Sequence, residues 1–211
     1  MTRRVLLILG LLLLAAAWIG PLPRLARHAF AAHMGMHVLV VAAAAPLIAI
    51  GLAGGRCDPA RRLPALFAPV PASVVELVVV WIWHAPALHH AARHSLPMLL
   101  LEQASYLAVG LLVWFSAFGG ERRQMRERSA AGIAGLLLTS MHMTLLGVLL
   151  ALADRPLYPH APLAGGELTP LQDQQIGGVL MLVFGGSTYL AGGLYLLATL
   201  LREKPDAAPL R

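Results

Sequence analysis

Apolar runs, each about as long as a membrane-spanning helix, constrain this chain more than any other feature of its sequence. A bilayer core is about 30 Å thick, so a helix needs roughly 20 apolar residues to cross it. The sequence predicts six such helices and therefore an all-α fold, a polytopic membrane helix bundle. The six predicted spans are approximately residues 5–20, 29–52, 72–89, 97–118, 130–152 and 171–201.

The amino-acid composition agrees with a membrane location. Hydrophobic residues make up 58% of the 211 residues and charged residues 12%, whereas about a quarter of a soluble domain is charged. We therefore predict a single transmembrane domain over residues 1–204 and a short cytoplasmic tail over residues 205–211. Cys57 is the only cysteine, which excludes a disulfide framework and a paired-cysteine metal site.

The basic residues predict which way the spans face. Cytoplasmic loops of membrane proteins carry an excess of lysine and arginine. Of the 16 basic residues, only Arg24, Arg27, Arg93 and Arg155 fall on one predicted side, and the rest fall on the other. Both termini are therefore predicted to be cytoplasmic. The net charge of +6 follows from this topology, so we expect no nucleic-acid partner.

The first apolar run allows a second interpretation. Residues 1–20, MTRRVLLILGLLLLAAAWIG, have a basic start, an apolar centre and small residues at Ala15 to Ala17. A cleaved signal peptide has the same pattern. Trp18 and Ile19 continue the apolar run, which favours retention as a helix, and either outcome leaves the other spans facing the same way.

Histidines collect in the half of the predicted bundle that faces away from the cytoplasm. None of the nine histidines falls in a predicted cytoplasmic segment. Polar groups at membrane depth are costly and indicate function by default. His89, His90 and His94 follow the third span, and we expect them to be solvated loop residues. The other six are His28, His33, His37, His84, His142 and His160.

The segment HMGMH, residues 33–37, is the main candidate metal site. His33 and His37 are one helical turn apart, so both imidazoles can face one point in the bundle, with Met34 beside them. The predicted ligands on neighbouring helices are His84, His142 and Met143. Imidazole and thioether without thiolate suit copper, above all Cu(I), while zinc remains an option. In the alternative without metal, the histidines bond neighbouring helices and the methionines fill gaps.

Two further polar side chains are predicted near this site. Glu102 lies about 7–8 Å inward from Pro97 along a helix, close to the histidine layer. It can orient a ligand imidazole by accepting its hydrogen bond, act as an intramembrane proton site, or interact with its helix N-terminus. Gln174 is predicted at the outer rim. Glu76, near the cytoplasmic start of the third span, is expected to be a structural carboxylate.

The last predicted span begins with a helix-capping sequence and contains a pattern of small residues. Thr169 can cap the helix, Pro170 suits its first position, and Gln172 completes a capping box. Glycine pairs follow at residues 177–178, 185–186 and 192–193. Such small residues let membrane helices approach closely, so these pairs are interpreted as architectural.

Five segments together resemble a known family. They are HMGMH, WHAPALHHA, LEQASYLAVGLLVW, LLGVLLALADRPLYPH and LTPLQDQQIGGVLM. In this order they resemble the bacterial cytochrome c oxidase assembly factors of the CtaG type, over roughly residues 28–190. The resemblance implies a polytopic inner-membrane protein that helps to mature a haem–copper oxidase by copper delivery. It also implies that the functional positions are His33, Met34, His37, His84 and Asp173.

The leading hypothesis is therefore a membrane assembly factor that is not an enzyme. It would take Cu(I) from a periplasmic copper donor, hold it near the periplasmic face of the bacterial inner membrane, and pass it to a cytochrome c oxidase subunit. A copper transport or resistance permease is the first alternative, because it would use the same ligands. A b-type cytochrome, with two histidines as axial haem ligands, is the second.

Overall fold

The computed structural model of the protein describes residues 2–120, 125–158 and 168–202. It is 82% helix, without strands in the described residues, which agrees with the predicted all-α class. His160 and the predicted tail, residues 205–211, lie outside the described residues.

Each predicted apolar run is helical. In chain order the helices are α1 (Arg3–Ile19), α2 (Leu22–Leu25), α3 (Phe30–Leu52), α4 (Pro59–Arg62), α5 (Pro69–Trp83), α6 (Pro86–His94), α7 (Leu96–Phe118), α8 (Met125–Ala151) and α9 (Pro170–Arg202). The predicted span 130–152 thus belongs to a helix that begins earlier, at Met125. The capping box at the start of α9 is present as predicted, because Thr169 and Gln172 exchange hydrogen bonds.

Four of these helices are long and apolar enough to cross a bilayer, namely α3, α7, the Arg128–Ala151 part of α8, and α9. The pair α5 and α6 makes a fifth if it is taken as one bent span. Helix α1 has 17 residues, fewer than the roughly 20 that an upright span needs. The six-span topology and the cytoplasmic termini therefore stay predictions.

The predicted third span, 72–89, is not one continuous helix. Helix α5 ends at Trp83, and α6 begins at Pro86 after a bend of 72°. Proline has no amide hydrogen and disfavours a helical conformation in the preceding residue, and Ala85 is accordingly extended. His84 therefore lies at the bend, and the residues from Pro86 to His94 form a separate helix that runs in a new direction.

Helix α3 lies at the centre of the bundle. Helices α1, α7 and α9 all pack against it, α8 packs against α5, α7 and α9, and α6 packs on α7. The glycine pair at the start of α9 makes close approach possible. A Cβ atom on Gly178 would lie 2.5 Å from the backbone nitrogen of Ala151, and one on Gly177 would lie 2.5 Å from the Phe30 ring.

Both α3 and α9 contain a π-helical segment that the sequence did not predict. These segments, Leu39–Ala44 and Met181–Gly186, contact each other in the middle of the bundle. The wider turn changes which residues of α3 face inward before and after it. Such segments occur often at functional sites, and here HMGMH directly precedes the one in α3.

Cys57 provides a direct test of the predicted orientation. This exposed cysteine lies between α3 and α4, on the side where the basic residues predict cytoplasm. A membrane-impermeant maleimide should therefore label the protein in inverted membrane vesicles and leave it unlabelled in right-side-out vesicles. The double variant C57S/A87C, which moves the cysteine to exposed Ala87 on α6, should give the reverse pattern. Labelling of Cys57 from outside would overturn the orientation.

Candidate metal centre

Three buried side chains from three helices meet beneath the end of the bundle at which α3 begins. They are His33 on α3, His89 on α6 and Glu102 on α7, each at most 2% exposed. One nitrogen or oxygen atom from each lies within 4.8 Å of the other two. The His33 Nε2 atom is 3.1 Å from Glu102 Oε1. We call these three residues the triad, and their spacing is suitable for holding one metal ion.

His89 is the member of the triad that the sequence prediction missed. It was expected to be a solvated loop residue, but the bend before Pro86 turns α6 so that His89 faces the bundle. Its ring meets the His33 ring edge-on, with centroids 4.5 Å apart. His90 and His94 are exposed, as expected, although they lie on a helix. If a helix had been predicted from Pro86 onward, the helical period would have placed His89 on a different face from His90 and His94.

A chain of hydrogen bonds holds the Glu102 carboxylate through the oxygen that does not face His33. Its Oε2 atom accepts a hydrogen bond from the Gln103 amide at 3.2 Å. The Gln103 oxygen in turn accepts a hydrogen bond from the Trp18 indole at 3.3 Å. The residue after Glu102 therefore links the triad to α1, which the sequence did not indicate. Such outer partners set the orientation and basicity of a ligand.

A second cluster lies one turn deeper on α3. The His37 ring is 4.0 Å from the Tyr106 ring and 5.5 Å from the His84 ring, between centroids. His84 Nδ1 donates a hydrogen bond to the Val80 carbonyl at 2.6 Å, which leaves Nε2 as the nitrogen with the lone pair. That Nε2 atom, both nitrogens of His37 and the Tyr106 hydroxyl are buried without a hydrogen-bond partner among the described residues. Buried polar groups of this kind need a partner such as water or an ion.

The predicted thioether ligands pack against α9. The Met34 Cγ atom would be 2.9 Å from a Cβ atom on Gly177, and Met143 lies beside Gly185. His142 is also buried, and neither of its ring nitrogens has a hydrogen-bond partner among the described residues, but it is not part of the triad. The roles of Met34, Met143 and His142 as ligands therefore stay predictions.

Asp173 and Gln174 hold chain segments in place. The two carboxylate oxygens of Asp173 accept hydrogen bonds from the backbone N–H groups of Phe30 and Ala31, at 2.5 and 3.0 Å. Asp173 therefore caps the start of α3 from a different helix, close to His33. The Gln174 side-chain oxygen accepts a hydrogen bond from the Leu157 N–H at 2.6 Å. These contacts position chain segments, and the predicted functional roles of both residues at a metal site stay predictions.

An open cavity of about 880 Å³ lies against the triad on the outer side. Its lining includes His89 of the triad, His28, His90, His94 and Tyr158. Tyr158 comes from the PLYP segment, and its hydroxyl donates a hydrogen bond to the His84 carbonyl at 2.6 Å. Burial raises the pKa of this phenol, so it stays protonated as a donor. Its ring is also 4.5 Å from the His89 ring, which links the two clusters.

The capping role of Asp173 makes a prediction about stability. Asp173→Ala should lower the free energy of unfolding by about 1–2 kcal/mol, because one buried and one part-buried N–H group at the start of α3 lose their acceptors. Asp173→Asn should cost less, because the amide keeps one acceptor oxygen. Thermal unfolding of the purified protein, followed by circular dichroism, measures this, with Asp154→Ala as an exposed control. A variant that loses bound metal at unchanged stability would instead make Asp173 a ligand.

Comparison with known proteins gives one match. The sequence model of the family described as cytochrome c oxidase caa3 assembly factor matches residues 1–203. This range includes the first apolar run, which the resemblance found from the sequence segments did not reach. No curated protein and no solved structure matches the chain.

Proposed function

The chain belongs to the family of cytochrome c oxidase caa3 assembly factors, and on this basis we propose that it delivers copper to the oxidase. In this proposal the protein lies in the bacterial inner membrane with its triad toward the periplasm. It takes a copper ion from a periplasmic donor, holds it, and passes it to an oxidase subunit. Copper is the cargo and no covalent bond of a substrate changes, so the protein is not an enzyme.

The observation that carries the proposal is the convergence of His33, His89 and Glu102 from three helices. Imidazole and carboxylate groups away from water are costly unless they are paired. A cation between them would satisfy the carboxylate and both rings together. The three helices place these donors without any contribution from a flexible terminus, so the site is already assembled before an ion arrives.

The donor chemistry favours copper among the available ions. Imidazole and carboxylate ligands bind both copper and zinc, and copper(II) binds more tightly than zinc in a given site of this kind. Methionine was the reason for expecting Cu(I), and Met34 packs against α9. The assignment to Cu(I) therefore stays a prediction, which binding measurements under reducing and oxidising conditions would test.

His89 is suited to exchange the ion with a partner. It belongs to the triad and also lines the outer cavity, so a donor or acceptor protein can reach the site from that side. Without a thiolate ligand, the site does not need to hold copper irreversibly. His37 and His84, one turn deeper, offer further imidazole nitrogens to an ion that has entered the triad.

The proposal is tested by a pair of carboxylate variants. Glu102→Gln should weaken copper binding by about 10–100-fold, because it keeps the size of the side chain and removes the negative charge. Glu76→Gln is the matched control, since Glu76 is equally buried but bonds Tyr189 instead. Copper per protein and competition with a chelator measure the affinity, and copper content of the oxidase in cells measures delivery.

His89→Ala should lose copper in the same assay, while the amount of protein in the membrane should stay unchanged. Unchanged copper affinity in both the Glu102 and His89 variants would contradict the proposed site. An equal loss of copper affinity in Glu76→Gln would also contradict the proposed site, because the effect would then come from general damage to the bundle. A Soret band from bound haem in the purified protein would instead favour the b-type cytochrome.

A further inference from the structure

Helix α6 presents a second pair of imidazoles on its outer face. His90 and His94 are exposed, and their ring centroids are 4.3 Å apart. They are one helical turn apart on the same face. Two histidines at this spacing on a helix are a known arrangement for binding one metal ion through both rings.

The exposed pair and the triad share one cavity. His90 and His94 line the same 880 Å³ space as His89, together with His28. His89 and His90 are adjacent in the chain and about 100° apart around α6, so that His89 is buried while His90 is exposed. An ion bound at the outer pair therefore lies in the same open space that His89 of the triad lines.

We propose that His90 and His94 form an exposed loading site for an imidazole-binding transition-metal ion, which then moves to the triad. The inference rests on the proposed function, because it makes the outer pair the entry point to the proposed copper site. His28, on the same cavity wall, is the additional imidazole available to the ion on its way.

The carboxylate of the triad gives this transfer a direction. Arg27 and Arg93 also line the cavity, and the Arg93 guanidinium donates a hydrogen bond to the Arg27 carbonyl at 2.7 Å. Because both arginines line the space that the two sites share, their charge does not distinguish the sites, and the difference comes from the triad. The triad adds the carboxylate of Glu102 to its two imidazoles. An ion is therefore held weakly outside and more tightly inside.

The test compares two arrangements of the same number of histidines. The variant H90A/H94A should bind one equivalent of Cu(II) fewer than the natural protein. In H94A/A91H the two histidines are adjacent, about 100° apart around the helix, and cannot bind one ion together. Its weaker site should lose about a hundredfold in affinity, because the second ring no longer raises the effective ligand concentration. Isothermal titration of the full chain in detergent measures both.

Loading kinetics provide the second measurement. In H90A/H94A the triad should fill more slowly with Cu(II) while reaching the same final occupancy, as followed by stopped-flow mixing. Alanine is a good helix former and both positions are exposed, so α6 should stay folded. The inference is overturned if H94A/A91H binds the weaker equivalent as tightly as the natural protein, or if loading of the triad is equally fast. If Glu102→Gln leaves copper binding unchanged but the weaker equivalent depends on His90 and His94, the proposed function fails while the outer site stands.

Discussion

The structure depends on one constraint, which is that a lipid bilayer cannot hydrate polar groups within it. Every buried imidazole and carboxylate must find its partner inside the bundle. His33 and Glu102 partner each other at 3.1 Å, and the carboxylate is held in turn through Gln103 and Trp18. The same constraint applies to the His37 nitrogens, which have no hydrogen-bond partner among the described residues, because a buried polar group without water or an ion beside it costs free energy.

The bend between α5 and α6 brings His89 to His33 and Glu102, and it places these residues beside an open cavity. A straight third span would have carried His89 up and away from α3. Instead, Pro86 starts a new helix at 72° to the first, and α6 lies beside α7 with His89 facing inward. The same helix places His90 and His94 outward, so one short element supplies both the buried triad histidine and part of the cavity surface.

Local patterns in the sequence predicted most of the helices and part of the site. The apolar runs, the capping box at Thr169 and the small residues at Gly177 and Gly178 depend on nearby residues, and all are present in the structure. The sequence also predicted that His33 and Glu102 lie at a similar depth in the membrane. Asp173 was expected to be a functional position, and that stays a prediction. Its hydrogen bonds to the N–H groups of Phe30 and Ala31 could not be predicted, because those residues are more than 140 positions away in the chain.

The sequence by itself determined that the chain is a helical membrane protein with imidazoles gathered toward one end. Hydrophobic length and the cost of polar groups in lipid are enough for that conclusion, since they act on each segment separately. Which of the imidazoles lie in contact with one another was decided only by the tertiary structure. The direction of α6, the cap that Asp173 places on α3, and the packing of Met34 against α9 all depend on contacts between distant segments. Those contacts placed His89 beside His33 and Glu102.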